Sequence, residues 1–241
     1  MFRTLKETLK RGGARWIKEY KLIADIWKDR YPLKQKKISL SILEKIFMTL
    51  IIFIRSLSLV NLGNFLRSYK ASSEFSEFYV LGWLIFSGWL LWNPFLPALF
   101  LYLIIGYRLI DGLNYRLSII FIDRYQPSWG LRSLNRSLIL LLLNYCEIIF
   151  GFAILYLNSS SIGYSNTTQI IQKPGEALYF SVVTITTLGY GDMSPMTSVG
   201  RGLALLEPLF GFILVALVIG VFLTGVRDIK ELDGSTLKEE K

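Results

Sequence analysis

The sequence predicts an all-α membrane protein, and three observations carry that prediction. Hydrophobic residues make up 52% of the 241 and aromatics 15%, with a positive mean hydropathy. Several apolar runs approach the roughly 20 residues that a helix needs to cross a hydrocarbon core, and the segments between them are basic. The formal net charge is +9. In such a chain it marks loops facing anionic lipid on the cytoplasmic side, so no nucleic-acid partner is expected. Histidine is absent and Cys146 is the single cysteine, which excludes a disulfide within one chain, a zinc set and histidine catalysis. With no nucleophile and base pair, metal-ligand set or phosphate loop in view, neither an enzyme nor a bound cofactor is expected.

Residues 1–45 read as a basic, cytoplasmic, amphipathic region. Trp16, Tyr20, Ile23, Trp27 and Tyr31 recur every three to four residues, with Arg15, Lys18, Lys21 and Lys28 between them, the pattern of a helix with one apolar face. Such a helix suits a membrane surface, aromatics in the interface and lysines on anionic lipid; packing on a neighbouring subunit would use the same face. No early apolar stretch with a small-residue cleavage site follows Met1, so the region is expected to be retained. Tyr31-Pro32 ends the pattern, and Lys34-Gln35-Lys36-Lys37 holds the chain in the cytoplasm.

Residues 46–112 are expected to hold the N-terminal membrane helices. Ile38 to Leu62 is apolar but carries Glu44, Lys45 and Arg55, and charges near a bilayer centre are costly, so an interfacial or packed helix is favoured. Phe75–Trp92 and Phe95–Ile110 read as a tight hairpin broken at Asn93-Pro94. Trp89 and Trp92 would sit at the far interface, Tyr107 and a snorkelling Arg108 at the near one. The next part, 113–137, mixes Ile119 to Ile122 with Arg116, Arg124, Arg132 and Arg136. It reads as a basic cytoplasmic linker with a surface helix that ends at Gln126-Pro127. Both basic regions belong inside, which requires an even number of crossings between them. The hairpin supplies two; Ile46–Val60 crossing outward with Phe78–Leu101 returning would also do so.

The segment 138–226 is the most strongly patterned. Leu138–Leu157 is a nearly unbroken apolar span in which Asn144 and Glu147 are expected to bond neighbouring helices and Cys146 to be inert packing. Asn158 to Lys173 is polar and turn-rich, fits an extracellular loop, and carries the glycosylation-like triplets at Asn158 and Asn166. Pro174-Gly175-Glu176 then opens a helix with proline and an acid in its first turn, running to about Thr186. A dozen residues at 1.5 Å each are too few to cross, so this helix should re-enter the membrane inside protein. After it, Gly189 and Gly191 in Thr187-Leu188-Gly189-Tyr190-Gly191-Asp192 permit the positive φ angles that would turn successive carbonyls toward one axis.

The run Thr184-Ile185-Thr186-Thr187-Leu188-Gly189-Tyr190-Gly191-Asp192, followed by Pro195, Thr197 and Gly200-Arg201, resembles the T-x-T-T-x-G-Y-G-D filter of the potassium channel pore-domain family. Leu188 stands where the family usually has valine or isoleucine. The resemblance implies an outer helix, a re-entrant pore helix with selectivity filter, and an inner helix, here preceded by the N-terminal helical hairpin. It implies that the carbonyls of Thr187, Leu188, Gly189 and Tyr190, with the Thr187 hydroxyl, coordinate K⁺ as the transported ion, Gly191 completing the loop. One chain supplies one loop, so a homotetramer is implied. Tyr179, Phe180, Val183 and Asp192 fall at filter-support positions. Val183 replaces an acid, and Phe180 a tryptophan, that commonly bond the filter in bacterial members, so altered filter stability or inactivation is expected.

The inner helix is expected over Gly202 to Val226, with Gly211 at the family's hinge position, where glycine lowers the cost of bending. Gly211, Ala216 and Gly220 would equally let helices approach closely. Glu207-Pro208 is an intramembrane acid beside a helix-breaking residue, with a cavity field, proton sensing (a polar gating site) or a bond behind the filter as its open roles. Arg227 and Lys230 close the helix on the inner side, leaving 227–241 as a short cytoplasmic tail with no expected regulatory domain. No span carries arginine at every third position, as a voltage sensor does. The resulting expectation is a passive K⁺-selective channel in a plasma (inner) membrane, both termini cytoplasmic. A K⁺-uptake transporter subunit is the alternative, although such proteins resemble four fused pore units; a non-conducting scaffold on anionic lipid is another.

Overall fold

The computed structural model describes residues 19–28, 40–56, 72–93, 95–122, 134–167 and 169–239. Expectations that rest on Trp16, Tyr31-Pro32, Lys34 to Lys37, Arg124, Gln126-Pro127 and Arg132 lie outside them. The chain divides into two compact units, Met1–Tyr79 with Ile110–Gly130, and Val80–Leu109 with Leu131–Lys241.

In the first unit, residues 19–27 are helical, as the aromatic spacing predicts, and α1 follows at Ile42–Ser56. The charges that interrupt the apolar run sit at the ends of α1. Glu44 closes a capping box, its carboxylate accepting from the Ser41 backbone N–H at 2.7 Å while the Glu44 N–H donates to Ser41 Oγ at 3.2 Å. Arg55, in the last turn, pairs with Glu19 at 3.6 Å and donates to Ser118 Oγ at 3.4 Å. Fifteen residues reach only about 22 Å, short of a hydrocarbon core; the alternative crossing Ile46–Val60 continues outside the described residues. Ile26, Met48, Ile51, Ile52 and Ile122 form the core of this unit. Trp27 Nε1 donates to Thr49 Oγ1 at 3.1 Å beside it.

The remaining elements are α2 (Ser72–Trp92), α3 (Ala98–Phe121), α4 (Leu134–Ser159), β1 (Ile162–Tyr164), α5 (Pro174–Ile185), β2 (Met193–Pro195) and α6 (Ser198–Glu239). The break at Asn93 separates two helices, as the sequence predicts, but α3 starts at Ala98 and runs unbroken through Gly112 to Phe121. The separate surface helix expected after residue 113 is therefore, over 113–121, the end of α3. Among the described residues, two helices are long and apolar enough to cross a membrane, Leu138–Ser159 and Ser198–Gly220; Phe78–Trp92 is apolar but shorter. α6 continues well past the expected Val226, its 42 residues spanning about 63 Å.

In the second unit, α4 packs on α5 and α6, and α5 on α6. Gly151 on α4 lets α3 approach, since a Cβ there would lie 3.2 Å from Leu109 and 3.3 Å from Ile105. Two expectations are corrected in this unit. Arg108 does not snorkel to an interface: it is 5% exposed and makes a two-pronged ion pair with Glu147, Nη2 to Oε2 at 2.8 Å and Nε to Oε1. Its guanidinium also lies 5.7 Å from the Trp83 ring centre. A planar fork on a carboxylate satisfies both buried charges at once, which a reach to water would not. Cys146, expected as inert packing, is exposed on the single chain, because it precedes the inward Glu147 on a helix that turns about 100° per residue.

Candidate functional site

The site grows out of α5. Pro174 and Glu176 stand in its first turn, and a dozen residues later the helix stops at Ile185. The chain folds back on the helix end: the Thr186 N–H donates to Val182 O at 3.2 Å, Thr187 N–H to Thr184 O at 3.0 Å and Leu188 N–H to Val183 O at 3.0 Å. These bonds occupy carbonyls that a helix end would leave open. From there the loop alternates, with φ of +56° at Thr187, +57° at Gly189 and +79° at Gly191. Glycine adopts this region freely; at Thr187 a β-branched residue is held there by the bonds on either side. Thr187 to Asp192 are exposed on the single chain, so their surface is open to neighbouring copies or to ions.

Behind the loop, Tyr179 Oη donates to Asp192 Oδ2 at 2.9 Å, and its ring stacks on Tyr190 at 6.5 Å with only 2° between the planes. Phe180 turns the other way. Placed by the resemblance at a filter-support position, it lies edge-on to Tyr156 at 4.9 Å and is buried, because it follows Tyr179 by one position and so projects from another side of α5. Val183 is 7% exposed, and its carbonyl is the one taken by Leu188.

Glu207 on α6 is fully buried. Its Oε2 accepts from Tyr156 Oη of α4 at 2.7 Å, and its Oε1 meets Ser181 Oγ of α5. These bonds tie α6 to α4 and α5 through one carboxylate. Asn144 bonds the Leu140 carbonyl of its own helix, not a neighbouring one. Gly211 is a close approach: a Cβ there would come within 2.7 Å of Ile185 Cγ1. Gly220 meets nothing comparable within the chain.

The outer end of the loop carries a feature the sequence reading missed. β1 and β2 pair antiparallel, Ile162 opposite Pro195, Gly163 opposite Ser194 and Tyr164 opposite Met193. The ladder continues through Ser165 N–H to Asp192 O at 2.9 Å and Met196 N–H to Ser161 O at 2.7 Å. Gly163 and Gly200 permit it, since a Cβ at either would press within 2.8 Å of a backbone oxygen. The polar segment 158–173 is thus stitched to the residues that leave the loop. Tyr164 also bonds Glu176: burial pushes the Glu176 carboxyl up, but the Tyr164 hydroxyl and Lys173 outweigh it and hold it below the ordinary value. Among the described residues, no group of acids, cysteines or histidines could hold a metal ion through side chains.

Residues 147–227 match the family model described as "Ion channel". Over that segment the chain is similar to the ion-channel family. The chain is 29% identical over 115 residues to a potassium voltage-gated channel subfamily KQT member 1 from Squalus acanthias, covering 45% of this chain and 17% of that protein. It is 31% identical over 106 residues to two-pore potassium channel 5 from Arabidopsis thaliana, 44% of this chain and 24% of the relative. A voltage-gated potassium channel from Aeropyrum pernix shares 32% over 73 residues, 30% and 23% of the two chains. The chain thus spans less than a third of the length of each of these relatives. No solved structure matches it.

Proposed function

We propose that the chain is one subunit of a passive, K⁺-selective channel, four copies placing Thr187 to Gly191 around one axis in a plasma membrane. The observation that carries this reading is the loop itself, a T-x-T-T-x-G-Y-G-D sequence with positive φ at alternate positions, launched from the end of a short helix. Carbonyls of Thr187, Leu188, Gly189 and Tyr190 then replace the hydration shell of K⁺, and four α5 C-termini favour the cation beneath them. Leu188 suits this role as well as valine would, because only its carbonyl faces the ion. Tyr179 and Asp192 support the outer end. Both chain termini lie in the cytoplasm, with the basic N-terminal helix on anionic lipid. In the state described, Gly211 acts as a close-packing contact of α6, not as an open bend.

Proteoliposomes carrying the full chain test the proposal. Expected is K⁺ flux well above Na⁺ flux, blocked by Ba²⁺ and lost in Gly189→Ala, whose Cβ is strained at a φ of +57°. Equal K⁺ and Na⁺ permeability overturns the selectivity claim. Flux that survives Gly189→Ala, or no flux at all, overturns the carbonyl path, the latter leaving the scaffold reading in its place.

A further inference from the structure

Three helices meet at one carboxylate. Tyr156 of α4, Ser181 of α5 and Glu207 of α6 are each fully buried and joined through Glu207. Aromatic rings seal the cluster: Phe180 edge-on to Tyr156, Phe152 6.2 Å from Tyr156 and 5.9 Å from Phe210. Burying a polar group without partners is costly, so such a cluster holds its geometry tightly once satisfied.

The contact is repeated one turn on. Four residues after Ser181, Ile185 touches the position four residues after Glu207, where only glycine fits. The same faces of α5 and α6 therefore meet twice, the two helices running in the same direction. Ile185 ends α5, and Thr187 and Leu188 bond back to Thr184 and Val183 within that last turn. Ser181 and Ile185 thus fix the turn from which the loop starts, and both are fixed by α6.

We infer that Glu207 is the positioning residue for the inner end of the filter, clamping α5 between α4 and α6 and standing in for the acid absent at Val183. The inference rests on the channel reading above. It differs from a gating or proton-sensing role, because what the cluster requires of residue 207 is hydrogen bonds, not charge. Ser181 Oγ meets both Glu207 Oε1 and, at 2.9 Å, the Ile149 carbonyl, yet has one proton to give. Glutamine at 207 would satisfy every contact: its carbonyl accepts from Tyr156, its amide donates to Ser181, and Ser181 donates to Ile149.

The test uses the full chain, wild type beside Glu207→Gln, Glu207→Ala and Tyr156→Phe. The first readout is the K⁺ concentration that half-protects the detergent-solubilised protein against heat, compared with protection in Na⁺; the second is the decay of K⁺ flux in proteoliposomes. Glu207→Gln should match the wild type in both. Tyr156→Phe, which removes one hydroxyl and no volume, should raise the half-protecting K⁺ concentration about tenfold, the worth of one hydrogen bond of about 1.4 kcal/mol. It should also hasten flux decay; Glu207→Ala should do both more strongly. If Glu207→Ala fails to assemble, Tyr156→Phe and Glu207→Gln carry the comparison.

Loss of heat resistance equal in K⁺ and Na⁺, with unchanged half-protecting K⁺ and decay, overturns the assignment and leaves an ordinary packing role. Glu207→Gln behaving as Glu207→Ala overturns it in favour of charge. Absence of K⁺ flux in the wild type overturns the channel reading and this one together, whereas wild-type flux with unaltered variants overturns this one alone.

Discussion

Gly211 separates two accounts of the inner helix by one methyl group. A Cβ built there would lie 2.7 Å from Ile185 Cγ1, where something must move, and 3.4 Å from the Ile185 carbonyl oxygen. Forcing a methyl into a well-packed contact costs about 1–3 kcal/mol. Gly211→Ala recovers roughly 1 kcal/mol of helix propensity, so a net loss of about 1 kcal/mol, the middle of a range of about 0–2, is expected. At roughly 2–4 °C per kcal/mol for a chain of this size, the melting temperature in K⁺ should fall by several degrees. Ile185→Ala removes the clashing Cγ1 and leaves a cavity, itself costing about 2–5 kcal/mol. The combination Gly211→Ala with Ile185→Ala should then cost less than the sum of the two, a coupling that a double-mutant cycle on thermal melts reads directly. Flux should follow the same pattern. A Gly211→Ala protein that melts as the wild type does but no longer conducts, and that Ile185→Ala does not rescue, would refute the packing account and restore the hinge.

Three further outcomes are expected. Glu147→Gln leaves the Arg108 charge buried and half-satisfied and should destabilise by about 3–5 kcal/mol, whereas Arg108→Leu with Glu147→Leu should recover most of it; thermal melts of these two variants beside the wild type check this. Because the Glu176 carboxyl is held below its ordinary value of 4.5, it contributes stability above that pH and loses it as pH falls through the lower, folded value. Tyr164→Phe should therefore flatten the melting curve against pH in the acid range below about 4.5, the window set by that depression. Val183→Glu, at a position 7% exposed behind the loop, should change the rate of flux decay; an unchanged rate argues that Val183 has no part in filter support.

How legible the molecule was in its sequence depended on whether a signal was local. The pore helix from Pro174, the loop bends at Gly189 and Gly191, and the two long apolar helices each write themselves in consecutive residues, and the structure has them where the pattern falls. The break at Asn93 is of the same kind. Arg108 was misread because a lone arginine near a helix end follows the rule for snorkelling, and its partner lies 39 positions later. Phe180 took its expected role by position, whereas its contact with Tyr156 is set by the turn of α5. The β1 and β2 pairing joins two three-residue strands about 30 positions apart, too short for any period to declare them. Glu207 was conspicuous as a charge in an apolar helix, but its meaning resides in Tyr156 and Ser181, which look unremarkable until three helices bring them together.

The short sheet has a consequence for how the outer segment can change length. Side chains on a strand alternate sides, so a single residue added between Ser161 and Ile162 would shift the register and turn Ile162, now fully buried, to the other face of the strand. An addition after Asn166, beyond the Ser165 bond to Asp192, would leave that alternation untouched. Two sites a few residues apart thus obey different rules: one counts in residues, the other only in space. Any chain of this design that carries a longer outer loop should carry the extra length beyond Asn166, with the distance from β2 back to Gly191 unchanged.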